Sequence, residues 1–339
     1  MKAKLLITTD LHKRDVDFST ISGYSRAVDQ VQLDLLDCIR DRQVTHMIQC
    51  GDWYDKGYRA ISRTQNDRNL DEEFKRRLNK NFYMCIGNHF FIERDNNPEM
   101  YLIQPHPTLK PTKPVIAFEP VIRTPNGFKI GTVQISLFHF SKESKNYRAV
   151  RDADTTFHIG IYHDHTVVPK SALDAAHFPY TDTNSSYINS VLENVDLAIV
   201  GHIHTQIGVI KIGVNNRTVP MVIPGSMCIT KNDPSEIHTH VDLPLITIED
   251  DNSVKFEFVR FSLHTEFLTF HDRRDAKTAD AAEFLQELEP LDTGTPKTFT
   301  EFLGSKNYKP NVRTLVEEVG ARAVNINDAL GILNKEIAL

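Results

Sequence analysis

The sequence predicts an α/β fold, a sandwich of two facing mixed sheets with helices outside. Three observations carry that expectation. The first 90 residues alternate apolar runs with amphipathic stretches, the pattern of βαβ units around a parallel sheet. After residue 206 the rhythm changes to paired strands around turn signals, the mark of antiparallel hairpins. Five apolar runs also end in side chains of one chemical kind, and open α/β sheets gather ligands at the carboxyl ends of their strands.

In chain order, "KLLITT" is a short strand ending at Asp10, and residues 25–42 carry Val28, Val31, Leu35 and Ile39 at helical spacing. "THMIQC" is a strand ending at Gly51-Asp52, 69–80 a charged helix, and "FYMCI" a strand ending at Gly87-Asn88. Residues 114–140 have shorter alternating runs with a turn at "TPNG". "FHIGIY" ends at His163, a helix covers 184–194, and "VDLAIV" ends at Gly201. "QIGVIKIGVNNRTVPMVI" reads as a hairpin around Asn215-Asn216, and "LPLITIE", "DDNS" and "VKFEFVRF" as a second one. Past residue 268 "TADAAEFLQEL" is a helix stopping at Pro290, and "LDTGTPKT" is a linker. Val312, Leu315, Val316 and Val319 make one helical stripe, and Ile326, Leu330, Leu333 and Ile337 another. The expected division is a main domain over 1–265 and a helical extension over 266–339, a cap or a partner-docking segment.

The 339 residues, 40% hydrophobic and 25% charged, suffice for a sizeable core. A net charge of −6 argues against duplex binding by phosphate contacts alone. Any nucleic-acid binding should be local, metal-assisted or completed by a partner. "FKRRLNK" at 74–80 and "HDRRDAK" at 271–277 are the candidate basic stretches. Cys38, Cys50, Cys85 and Cys228 form no CxxC and read as free thiols of a reducing compartment. "MKAKLLITTD" is too short and too quickly polar for a signal peptide, and no apolar run approaches the roughly 20 residues of a membrane span. A cytoplasmic, non-membrane protein is expected.

The five run ends are "TTDLH" (Asp10, His12), "CGDWYD" (Asp52, Asp55), "IGNHF" (Asn88, His89), "IYHDH" (His163, Asp164, His165) and "VGHIH" (His202, His204). Together they form a nitrogen and oxygen donor set without thiolate, which suits Mn, Fe or catalytic Zn better than a structural Zn site. A shared carboxylate could bridge two ions about 3.5–4 Å apart, an arrangement used for displacement at phosphorus.

D-x-H, G-D-x-x-D, G-N-H, a strand ending in His and G-H-x-H, in this order, resemble the motifs of the calcineurin-like metallophosphoesterases over roughly residues 1 to 260. The resemblance implies a two-metal phosphoesterase on a four-layer α/β/β/α sandwich. It implies one ion on Asp10, His12 and His204, another on Asn88, His163 and His202, and Asp52 between them. It implies two divalent ions, Mn first, with Fe, Zn or Mg as alternatives. His89 matches the family histidine that contacts the phosphate or protonates the leaving oxygen. Asp55 and Asp164 are expected behind the ligands, and His165 would replace His163 in a shifted register. Phe90 stands where the family has an acidic residue, so the support of His89 must come from elsewhere, with Glu93 and Asp95 as candidates.

The stretch from "MVIPGSM" to "EFVRF" resembles the SbcD-like nucleases of double-strand-break repair. Gly225 would allow close backbone approach, and Ser226 would cap a turn or contact phosphate. This branch implies a DNA exo- or endonuclease in recombination, repair or end processing, with DNA as substrate, an SMC-like coiled-coil ATPase as partner and a homodimer as one assembly. The acidic balance instead favours a small-substrate enzyme, a nucleotide phosphodiesterase or phosphatase. A non-catalytic scaffold is opposed by the complete ligand set. Helices as short as those of the tail need an apolar surface, their own domain or an ATPase partner.

Overall fold

The computed structural model describes residues 1–13, 17–18, 20–53, 55, 65–78, 81–85, 87–90, 122–123, 127–140, 147–179, 183–230 and 238–271. In chain order the elements are β1 (Ala3–Thr8), β2 (Ile21–Ser22), α1 (Tyr24–Asp41), β3 (His46–Gln49), α2 (Gln65–Leu78), β4 (Phe82–Met84), β5 (Ile122–Arg123), β6 (Gly127–Ile130) and β7 (Val133–Phe138). They continue with β8 (Phe157–Tyr162), α3 (Lys170–Ala175), α4 (Ser185–Leu192), β9 (Leu197–Val200), β10 (Gly208–Val214), β11 (Arg217–Ile223), β12 (His240–Ile248), β13 (Val254–Ser262) and β14 (Thr269–Phe270). By contact the chain divides into one unit of Met1–Asp17 with Gly23–Leu268, and a second of Phe18–Ser22 with Thr269–Leu339. In the second, β2 pairs antiparallel with β14. The helices expected between 278 and 337, and with them nearly all of the 266–339 extension, lie outside the described residues.

The first unit holds two six-stranded mixed sheets, as expected, in the orders β13-β12-β1-β3-β4-β5 and β10-β11-β9-β8-β7-β6. β1, β3, β4 and β5 run parallel, and the β12–β13 hairpin closes the sheet antiparallel to β1. In the other sheet β11, β9, β8 and β7 are parallel, flanked by antiparallel β10 and β6.

Strand alternation explains the layers. Leu5 and Ile7 of β1, Ile48 of β3, Ile135 and Leu137 of β7, Ile159 and Ile161 of β8, Leu197 and Ile199 of β9, and Ile246 and Ile248 of β12 form one buried cluster between the sheets. Residues of opposite parity face outward. Ala198 and Val200 of β9 meet Ile188, Val191 and Leu192 of α4. On the other side, Phe74 of α2 packs on Phe82 of β4 (centroids 6.2 Å), and the Trp53 ring meets both edge-on. The buried stripe of α1, Val28, Val31, Leu35 and Ile39, has the i, i+3/i+4 spacing of a one-faced helix.

Helix limits differ from expectation for local reasons. α2 starts at Gln65 rather than 69 because its polar first turn carries no apolar period. α4 begins at Ser185 because the Asn184 side chain caps it, accepting from the Ser186 and Tyr187 amides. α3 was not expected; its six residues are too few to show a period. The β10–β11 turn does form at Asn215-Asn216, with φ of 45° and 64°, as a two-residue hairpin requires. The cysteines are free; Cys50, Cys85 and Cys228 are buried and Cys38 is half-buried.

Candidate metal centre

Asp10 follows β1, Asp52 follows β3, Asn88 follows β4, His163 follows β8, and His202 follows β9. β1, β3 and β4 are neighbours in one sheet, and β8 and β9 in the other, so parallel pairing brings five loop starts to one end. The backbone there is strained. Asp10, His12, Asp52 and His202 have φ of 34°, 47°, 49° and 74°, left-handed values that non-glycine residues seldom adopt. Each such residue costs about 1–3 kcal/mol, and strain of this kind concentrates at functional sites.

Two glycines make room. Gly51, at φ 111°, lies so close under His163 that a Cβ would sit 2.1 Å from its Nδ1. At Gly87 a Cβ would sit 2.0 Å from Asp52 Oδ1 and 2.6 Å from the Asp52 amide nitrogen.

The donor atoms form two adjoining groups. In the first, His12 Nε2 lies 3.0 Å from His204 Nε2, and Asp10 Oδ1 is 3.9 Å and 4.0 Å from those two nitrogens. In the second, Asn88 Oδ1 lies 3.0 Å from His163 Nε2 and 2.9 Å from His202 Nδ1, and Asp52 Oδ2 is 3.1 Å from His163 Nε2. Asp10–His12–His204, Asp52–His163–His202 and His12–Asp55–His89 each place three donor atoms within 4.8 Å of one another. Asp10 ties the groups together, because its carboxylate accepts the His202 amide at 3.0 Å.

The charges fit a cation. Asp10 and Asp52 are 0% and 1% exposed, and buried carboxylates need compensating charge. Burial pushes His12 below its usual pKa and His202 well below, so neither supplies it. Burial opposes a charge on His163 too, but Asp52 outweighs it and lifts the pKa to about 9. Burial would raise Asp52, but His163 more than offsets this and holds the carboxyl below the carboxylate range. Asp10, 4.0 Å from His163 Nδ1, also faces the His12 and His204 imidazole nitrogens only 3.0 Å apart, a set of three donors gathered as metal ligands are. The residues therefore fit divalent ions.

His89 stands beside both groups. Its Nδ1 is 2.7 Å from Asp55 Oδ1, and its amide donates to Asp52 Oδ1 at 3.0 Å. Burial disfavours a charged His89, yet Asp55 keeps its pKa raised. Asp55 thus supports His89 without an acidic residue at 90; Glu93 and Asp95 lie outside the described residues. Asp164 caps the next turn by accepting the Thr166 amide at 2.9 Å. The His165 ring stacks on His202 at 5.4 Å, so His163 occupies the donor position and His165 flanks it. Ser226 is 1% exposed, and its hydroxyl oxygen lies 2.9 Å from the Asp10 carbonyl oxygen and 2.7 Å from that of Cys228, its single proton shared between these two acceptors. This hydroxyl braces the Asp10 loop, in keeping with the capping half of the expectation.

Sequence reasoning missed three supports. Thr230 Oγ1 lies 3.2 Å from His204 Nδ1, the Cys50 carbonyl 2.6 Å from His163 Nδ1, and Thr9 Oγ1 bonds Asp10 Oδ2. Thr9 adjoins a motif and was findable; a backbone carbonyl and a threonine 26 residues beyond His204 leave no pattern. In the 74–80 stretch Arg76 and Arg77 both pair with Glu73, one carboxylate shared between two guanidiniums. Of 271–277 only His271 is described.

The model of the family described as calcineurin-like phosphoesterase matches residues 3–206, which holds every donor named above. No curated protein matches the chain. Among solved structures, a dimetal phosphatase from Danio rerio is similar over 77% of this chain and 99% of its own, at 12% identity and a TM-score of 0.43. Among the described residues no helix is long and apolar enough to cross a membrane.

Proposed function

The chain belongs to the calcineurin-like phosphoesterases, and we propose that it is a two-metal phosphodiesterase that cuts nucleic-acid strands, DNA first, in recombination or repair. The observation that carries the phosphodiesterase reading is the convergence of seven donor side chains into two adjoining groups at one end of both sheets. Asp10, His12 and His204 would hold one divalent ion, Asn88, His163 and His202 the other, and Asp52 would bridge. The chemistry supplied at this site by bound divalent ions would be a lowered pKa of water and an offset to charge growing on phosphate oxygens.

The chain's own residues do the rest. His89, held by Asp55 and partly exposed at 32%, would hold a proton for a leaving oxygen, a reading its contact with Asp55 supports. Ser226 and Thr9 fix the Asp10 loop, and the Cys50 carbonyl fixes the tautomer and orientation of His163.

The nuclease reading rests on the resemblance of the P-G-S stretch to the SbcD-like branch, which also suggests an SMC-like ATPase partner, a manganese preference and a cytoplasmic site of action. The net charge of −6 favours the second reading, a nucleotide phosphodiesterase or phosphatase. One comparison separates them. The Mn²⁺-loaded full chain is assayed on bis(p-nitrophenyl) phosphate, p-nitrophenyl phosphate and end-labelled linear DNA. The nuclease reading expects cleavage of the diester and the DNA with little on the monoester. Monoester turnover with intact DNA would contradict it.

A further inference from the structure

The outermost strand of the first sheet, β13, is written as an alternation. In "VKFEFVRFS", Val254, Phe256 and Phe258 share one face, and Lys255, Glu257 and Val259 share the other. Val254 packs on the cluster between the sheets, but Phe256 and Phe258 are 37% and 41% exposed, their rings edge-to-face at 4.9 Å. β12 occupies one side of this strand, and among the described residues no strand pairs with its other side.

That side carries unpaired backbone groups. The ladder to β12 is bonded at odd-numbered residues: the Glu249 amide donates to the Ser253 carbonyl at 2.9 Å at one end, and the Leu263 amide to the Thr239 carbonyl at 3.0 Å at the other. The N–H and C=O of Val254, Phe256, Phe258 and Arg260 therefore point away from β12. A nine-residue edge with two exposed aromatic rings is a template for another strand, and proteins usually shorten, bend or guard such edges.

The side chains of the edge match those of a second copy. With the two strands antiparallel about a two-fold axis at Phe256, Phe256 meets Phe256 and Val254 meets Phe258 on one face. On the other face Lys255 stands opposite Glu257 of the second copy, and Glu257 opposite its Lys255. Moving the axis one residue towards Lys255 sets two lysines opposite each other, and one residue towards Glu257 sets two glutamates opposite. Opposite charges stabilise a cross-strand pair and like charges destabilise it, so this register is favoured over both neighbours. The outward backbone groups of Val254, Phe256 and Phe258 then find bonding partners. Lys255 also meets Glu249 of its own hairpin at 2.8 Å, but at 72% exposure that pair contributes little and leaves the side chain able to reach a second carboxylate.

We propose that β13 is a dimerisation edge, pairing antiparallel with β13 of a second copy about a two-fold axis at Phe256. The same patch serves both copies, as a two-fold requires. The two six-stranded sheets join into one continuous sheet. The axis reverses strand direction, so the two metal centres face opposite ends of that sheet. The proposal is independent of which phosphoester the centres cut.

The test is sedimentation velocity of the Mn²⁺-loaded full chain over a concentration series up to its solubility. The wild type should reach a dimer. Glu257→Lys sets lysine against lysine in both cross-strand pairs, and Lys255→Glu sets glutamate against glutamate. Each alone should weaken dimerisation by roughly 10- to 100-fold. Mixed in equal amounts, the two variants should form a mixed dimer of wild-type affinity, and the double variant Lys255→Glu with Glu257→Lys should dimerise by itself. Both residues are exposed and neither holds or supports a metal donor, so hydrolysis of bis(p-nitrophenyl) phosphate per chain should stay at the wild-type rate, which reports that the variants fold. A wild type that remains a monomer throughout overturns the proposal and leaves the edge to residues 272–339 of the same chain or to a different protein. A dimer that Glu257→Lys leaves intact, or single variants that do not associate on mixing, overturns the β13 pairing.

Discussion

Replacing Gly87 with alanine adds one methyl group at a position with no charge and no hydrogen-bonding side chain, yet it should disable the enzyme. The new Cβ would lie 2.0 Å from Asp52 Oδ1, 2.5 Å from Asp52 Cγ and 2.6 Å from its amide nitrogen. No packed Cβ tolerates contacts under about 3.0 Å, so the carboxylate or the Asn88 loop must retreat by about 1 Å, and displacement of that size at a reacting centre costs roughly 10²-fold in rate. Overpacking of this kind also destabilises by about 1–3 kcal/mol. The assay is kcat/KM on bis(p-nitrophenyl) phosphate across a Mn²⁺ titration, with bound metal counted by mass spectrometry and stability read from urea unfolding. Gly213→Ala is the control, because its Cβ would meet nothing within 4 Å. A Gly87→Ala enzyme with wild-type rate and metal content would refute the placement of Asp52 against that loop.

Other substitutions separate the parts. His89→Asn should keep the metals and lose roughly 10²–10⁴ in rate, with a smaller loss on substrates whose leaving group needs no proton; a drop in metal count would make His89 a ligand. His264 should make stability depend on pH. Its Nε2 lies 2.7 Å from Asp34 Oδ2 and its Nδ1 2.9 Å from Glu266 Oε1. Burial lowers its pKa, but the two carboxylates outweigh burial and raise it. Its contribution is therefore fully present below the unfolded histidine value of about 6.5 and is lost as pH rises through the folded value. Urea unfolding should show His264→Asn less stable than wild type at pH 6, with the gap closing by pH 9; a gap that widens with pH would contradict this. Deleting residues 300–339 should leave small-diester hydrolysis nearly intact while abolishing binding of a coiled-coil ATPase partner and activity on duplex DNA. Retained co-purification with such a partner would remove the docking role, and proportional loss of small-diester activity would assign the tail to its own domain.

The donors were legible because each rides on an apolar run. Val200-Gly201-His202 and Cys50-Gly51-Asp52 state a strand, a turn and a ligand within a few letters, and parallel pairing does the gathering. The βαβ order and both hairpins followed from period and turn chemistry for the same reason. What holds the donors was much less legible. Asp55 reaches His89 across 34 residues, and Cys50 serves His163 through its carbonyl, which every residue type shares. Ser226 sits in a stretch that reads equally as a turn or a phosphate contact, and its bond to the Asp10 carbonyl, 216 residues away, leaves no local pattern. α3 escaped because six residues cannot display a helical period.

The most direct test of the two-ion centre is anomalous diffraction at the manganese edge from crystals of the Mn²⁺-loaded full chain. Two peaks about 3.5–4 Å apart are expected, the spacing of two-metal phosphoryl sites. One should lie against Asp10, His12 and His204, the other against Asn88, His163 and His202, with Asp52 between them. A single peak, or a pair coordinated by other residues, would contradict it.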